Sequence, residues 1–110
     1  MPDDHIFEIV DYRGKAVVFS KAKWEEKRSR HPELNNAAFL KRLRRAIIDP
    51  DEVWEDYEDR ENRACYYKKY SDASYAKIVV WTGARGSRVV TAYETSHIKE
   101  AEYPELRRIK

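Results

Sequence analysis

Of the three histidines in this chain, one has neighbours that suggest chemistry. His31 follows Arg28 and Arg30 and precedes Pro32, and imidazole is the side chain whose ordinary charge change falls between about pH 5 and 8. If Lys23 to Arg30 is a helix, Trp24, Arg28 and His31 stand at i, i+4 and i+7 and share one face, so an aromatic anchor and two polar groups are placed together. The plainer reading of His31 is a helix C-terminal cap, where a protonated ring is favoured by the helix dipole. His5 near the start and His97 beyond the last strand-like run read as surface residues.

A second set of polar side chains lies on strand-like segments. In Arg88 to Thr95, Val90 and Ala92 form one face while Val89, Thr91, Tyr93 and Thr95 form the other; in Ala64 to Tyr70, Tyr66, Lys68 and Tyr70 oppose Tyr67 and Lys69. One sheet face can thus collect hydroxyls and a lysine, although Thr, Tyr and Lys rows are also ordinary on solvated sheets. Metal chemistry has little support. No histidine pair has ligand spacing, the acidic run Asp49 to Glu61 follows no coordination pattern, and neither a metal nor another cofactor is expected. Gly83-Ala84-Arg85-Gly86 is too short for a phosphate loop and reads as a hairpin turn. Cys65 is the single cysteine, which leaves no disulfide framework and makes a reducing, cytoplasmic setting the default.

The elements that must position these groups follow from the pattern. Ile6 to Tyr12 and Ala16 to Phe19, joined by Arg13-Gly14-Lys15, read as a hairpin. Ser20 sits at an N-cap position, and a helix through about Arg30 follows until Pro32 stops it. A second helix runs from about Glu33 or Asn36 to Ile48, with Phe39, Leu40, Leu43, Ala46 and Ile47 as its apolar stripe; Asp49-Pro50-Asp51 ends it. Strands at Val53 to Tyr57, Ala64 to Tyr70, Tyr75 to Thr82 and Arg88 to Thr95, with short connections, predict an antiparallel meander. The fold class is therefore α+β in one domain over residues 1–110: an N-terminal hairpin, and two helices packed on one face of a four-stranded antiparallel sheet.

Composition agrees with a globular chain: 42% hydrophobic and 38% charged residues with a net charge of +2 do not mark a polyphosphate binder outright. Placement says more. Residues 21–45 are dominated by Lys and Arg and hold no Asp, whereas residues 49–61 are dominated by Asp and Glu. That segregation fits one anion-seeking side, or simply solvated helix faces. No apolar run of about 18 residues exists, and Met1-Pro2-Asp3-Asp4-His5 does not read as a secretion leader; no membrane partner is expected.

Taken together, Trp24-x2-Lys27-x3-His31-Pro32-Glu33, Ile47-Ile48-Asp49-Pro50-Asp51-x-Val53, the Tyr66-Tyr67 strand, Lys77-Ile78-Val79-Val80 and Val89-Val90-Thr91-Ala92-Tyr93 resemble the phage-associated members of the superfamily that unites barnase, EndoU, colicin and RelE-like nucleases (a BECR-like fold), over residues 17–98. The resemblance implies two N-terminal helices before a four-stranded antiparallel sheet, and a metal-independent ribonuclease of toxin or phage type that cleaves RNA through the 2′-hydroxyl. It implies a site of His31, Thr91 and Tyr93, with Lys27, Arg28, Arg30 and Lys68 available to phosphate and Tyr66 to an unpaired base. Lys27 stands where related sequences often carry a histidine. The alternative is a non-catalytic RNA-binding or protein-interaction module of the same fold. RNA, tRNA among its kinds, and an antitoxin or immunity protein are the partners these readings imply.

Overall fold

The computed structural model describes residues 5–84 and 86–110. The acidic start Met1 to Asp4 and Arg85 of the loop expected around residues 83–87 lie outside the described residues. Strands β1 (His5–Val10) and β2 (Ala16–Ser20) are followed by α1 (Lys21–Lys27), a 3-10 turn (Pro32–Asn35) and α2 (Ala37–Ile48). Then come β3 (Glu52–Glu55), β4 (Arg63–Ser71), β5 (Ser74–Gly83), β6 (Gly86–Thr95) and a second 3-10 turn (Lys99–Glu102).

The first hairpin closes where expected. Gly14 takes φ +88°, a value that a side chain disfavours, and the Asp11 carboxylate accepts from the backbone N–H groups of Arg13 and Lys15 at 2.9 Å each. Ser20 caps α1 by accepting from Lys23 N–H, and Asn36 caps α2 through Ala38 and Phe39. The apolar stripe of α2 buries Phe39, Leu43, Ala46 and Ile47 against Tyr66, Ile78 and Val80 of the sheet.

The sheet corrects the expected one. It has six strands in the order β1-β2-β6-β5-β4-β3, and it is mixed. β3 to β6 form the antiparallel meander, but β2 pairs in parallel with β6 through Val17 opposite Ser87 and Val18 opposite Arg88. The reason is the edge of β6: without β2 its N-terminal half would present an unpaired ladder, and Val17 and Phe19, both 0% exposed, would lose their cover.

Two local expectations also change. α1 ends at Lys27 rather than near Arg30. His31 adopts φ −126°, ψ 79°, outside the helical region that a following proline disfavours, so His31 does not ride on the helix face with Trp24 and Arg28. In the pairing of β5 with β6 the register shifts between Val79 and Val80, where Val79 faces Thr91 and Val80 faces Val89. This bulge at Val90 turns Val89 and Ala92 together into the core and leaves Thr91 and Tyr93 on the opposite face.

Candidate active site on the helix-free face

The sheet face away from α2 carries the chemistry. Residues directly opposite each other in an antiparallel ladder share a face, and Tyr67 of β4 faces Lys77 of β5, which faces Tyr93 of β6. These three form a transverse row. The Lys77 ammonium lies 5.4 Å from the centre of the Tyr67 ring and 5.3 Å from that of Tyr93, and it bonds the Glu100 carboxylate at 3.0 Å. Tyr67 donates its hydroxyl proton to the other oxygen of Glu100. Glu100 arrives from the second 3-10 turn, and both charged side chains are nearly closed to water, at 5% and 4% exposure.

Electrostatics follow from that closure. Burial works against the Glu100 carboxylate, but the Tyr67 hydroxyl and the Lys77 ammonium outweigh it and hold its pKa below the ordinary range. Burial likewise works against the Lys77 ammonium, and the acidic groups packed around it, the Glu100 carboxylate among them, outweigh it, so Lys77 is raised. Burial, reinforced by Glu100, pushes the Tyr67 phenol up. Burial also pushes the Cys65 thiol up; it stays a thiol at neutral pH.

Above this row opens a cavity of about 240 Å³ whose lining includes Arg63, Lys77, Thr91, Tyr93, Lys99 and Glu100. His31 is not part of that lining but meets it through Tyr93. Its ring stacks on Tyr93 with centroids 4.8 Å apart and planes 19° from parallel. It reaches this position because β2 pairs only with the start of β6, and the turn after α1 packs against the strand beyond that point. Each residue of His31-Pro32-Glu33 has a part in this docking. His31 stacks, Pro32 opens the 3-10 turn, and Glu33 accepts the otherwise unpaired backbone N–H of Glu94 at 2.8 Å. Trp24 fixes the same turn from behind, its indole N–H donating to the Leu34 carbonyl at 2.8 Å.

His31, Thr91 and Tyr93 are therefore neighbours. The expected phosphate binders divide. Lys27 is half-buried at the end of α1, Arg28 lies over the Trp24 ring at 4.6 Å, and Arg30 is exposed in the turn that leads to His31. Lys68 does not join them: it points to the α2 side, 3.4 Å from Asp49 and 3.3 Å from Asp51. Tyr66 cannot stack on a base. It is 0% exposed, its hydroxyl donating to Asp11 at 2.8 Å and accepting from Arg13 at 2.9 Å, because alternation along β4 sends it into the core while Tyr67 takes the other face. Lys77, Glu100 and Arg63 were not anticipated. A charge inside the apolar run Tyr75 to Val80 was the signal for Lys77; Glu100 and Arg63 had none.

Among the described residues, Asp56, Cys65 and Glu100 bring ligand-type atoms within 4.8 Å of one another. Glu100 is already bound to Lys77 and Tyr67, and the Cys65 thiol donates to Asp56 at 3.5 Å. The cluster is balanced by an ammonium and does not ask for a cation.

A family model described as phage-Barnase-EndoU-ColicinE5/D-RelE like nuclease2 (PBECR2) matches residues 4–110. The chain belongs to this family. PBECR2 is thus a nuclease-like domain carried here by a mixed six-stranded sheet, with His31 and β6 side by side on its open face. No curated protein and no solved structure matches the chain. Among the described residues of this PBECR2 member, no helix is long and apolar enough to cross a membrane.

Proposed function

We propose that this PBECR2 chain is a metal-independent endoribonuclease that uses the 2′-hydroxyl of its substrate as nucleophile. The observation that carries the reading is the His31–Tyr93 stack beside the cavity lined by Thr91 and Arg63. In this reaction the 2′-oxygen attacks the adjacent phosphorus, the bond to the 5′-oxygen breaks, and a 2′,3′-cyclic phosphate and a free 5′-hydroxyl result. The protein need only move two protons and stabilise the extra charge on the phosphoryl oxygens.

His31 is the acid–base group of this scheme, held in orientation by the Tyr93 ring. The Tyr93 and Thr91 hydroxyls donate to the phosphate, and Arg63 and Lys99 supply positive charge at the wall. Lys77 is a positioning residue, since its charge is spent on Glu100 and it sets the height and tilt of Tyr93. Lys27, Arg28 and Arg30 line the approach along the His31 turn. An immunity or antitoxin protein would act by covering this open face.

His31→Ala should lower the rate of cleavage of total RNA or tRNA by about 10²–10⁴-fold with the circular dichroism spectrum unchanged. Wild-type cleavage by the variant removes His31 from the mechanism, and absence of cleavage by the wild type removes the enzyme. Lys27, where a histidine often stands in related sequences, and the neutralised Lys77 favour a second reading, a non-catalytic RNA-binding module. It predicts salt-sensitive RNA binding without turnover.

A further inference from the structure

Four residues along β5 from Lys77 stands a row of which the chemistry above uses only Arg63, at its end: Arg63 of β4, Trp81 of β5 and Arg88 of β6, each opposite the next on the same open face. The Arg88 guanidinium carbon lies 4.7 Å from the centre of the Trp81 indole. Arg88 is exposed and, among the described residues, makes no ion pair and donates no side-chain hydrogen bond. The indole lies down along the strand over Gly83: a Cβ built on Gly83 would collide with its six-membered ring. This row lines a cleft of about 560 Å³ with Lys23 and Asp59, and the cleft shares Arg63 and Val90 with the cavity beside His31. Arg63 has one further peculiarity. Its Nε is the only buried side-chain polar atom without a hydrogen-bond partner among the described residues, while its Nη1 bonds Glu58, itself 78% exposed, at 3.2 Å.

We propose that Arg63, Trp81 and Arg88 form a second nucleotide subsite for single-stranded RNA, in which an unpaired base stacks on the Arg88–Trp81 pair and Arg63 receives the connecting phosphate. The inference rests on the ribonuclease reading for its other end. An aromatic face backed by a guanidinium suits any unpaired base, and an unpaired cation beside it is complementary to the nucleic-acid backbone rather than to an apolar peptide. Arg63 offers an anion the edge of its guanidinium that now meets the exposed Glu58. At about 3.3 Å per strand residue the two rows are roughly 13 Å apart, a span that a few nucleotides of extended backbone bridge, so one strand can reach both.

The test uses the full chain and a fluorescein-labelled 2′-O-methyl hexanucleotide, which has no free 2′-hydroxyl and is not cut, with binding read by anisotropy at fixed ionic strength. Trp81→Ala and Gly83→Ala, the latter displacing the indole without removing it, should each weaken binding roughly tenfold, and Trp81→Phe should weaken it less. An RNA duplex should compete poorly, because its bases are already stacked. Unchanged binding in both Trp81→Ala and Gly83→Ala, no binding by the wild type, or a duplex that competes as well as single strands overturns the subsite. Near-ultraviolet circular dichroism of Trp81→Phe and Arg88→Ala guards against a folding defect, and Arg88→Ala should bind more weakly with its fold intact. Cleavage is scored separately. Loss of binding in Trp81→Ala from a wild type that cuts no RNA leaves the subsite standing and the catalytic reading fallen; cleavage with no effect at Trp81 does the reverse.

Discussion

Tyr93 has two separable contributions, and one atom divides them. Its ring supports His31 and flanks Lys77, while its hydroxyl is the donor assigned to the phosphate. Tyr93→Phe keeps the ring and should lower kcat by about 10²-fold with little change in KM, whereas Tyr93→Ala should also free His31 to leave its position. A Tyr93→Phe variant with full kcat would reduce the residue to a support. At this scale the sequence was partly legible. His31, Thr91 and Tyr93 were visible as residue types placed before a proline and on alternate positions of a strand. The bulge at Val90 was not, because no local pattern tells which of two valines is the extra residue. Nor was the burial of Tyr66, whose partners Asp11 and Arg13 lie far away in the chain.

Among the elements, the short turn Lys99–Glu102 is tied to the sheet by one side chain. Glu100 is pulled below its ordinary value of 4.5, so the folded state holds the carboxylate more strongly than the unfolded one does. It therefore contributes stability above that ordinary value, and the contribution is lost as the pH falls through the lower folded value. Lys77 is raised, so its share is present below the ordinary lysine range and lost as the pH rises through the folded value. Glu100→Gln should cost on the order of 3 kcal/mol at neutral pH, since it leaves a buried ammonium without its counter-charge, and should flatten the acid limb of the thermal midpoint against pH. A parallel acid limb in variant and wild type would show that another group titrates there. α2 was legible from its stripe and its Asn36 cap. α1 was read too long because helical spacing continued through Arg30, while the conformation before Pro32 ended it.

Over the whole molecule, charge is sorted by face as much as by segment. The acidic stretch after α2 does not stay apart from the cations, since Asp56 and Glu58 come within reach of Arg63. Among the described residues the open face thus offers few cations without an ion pair, Arg88 and Lys99 foremost. Binding of a single-stranded oligonucleotide should fall with a slope of roughly −2 in log K against log salt; a slope near zero would place the ligand elsewhere. The meander was readable from successive strands with short loops. The parallel union of β2 and β6 was not, because nothing local in either strand specifies a partner at such separation.

That union also governs when the molecule can act. Val17 must wait for Ser87, and His31 must wait for Tyr93, so loop closure over most of the chain precedes the cleft. A nascent chain has no assembled site until β6 has been made, and a product that stops before Tyr93 carries His31 without the strand it needs. Whatever this face does is, in that sense, withheld by topology from every copy that stops short of β6.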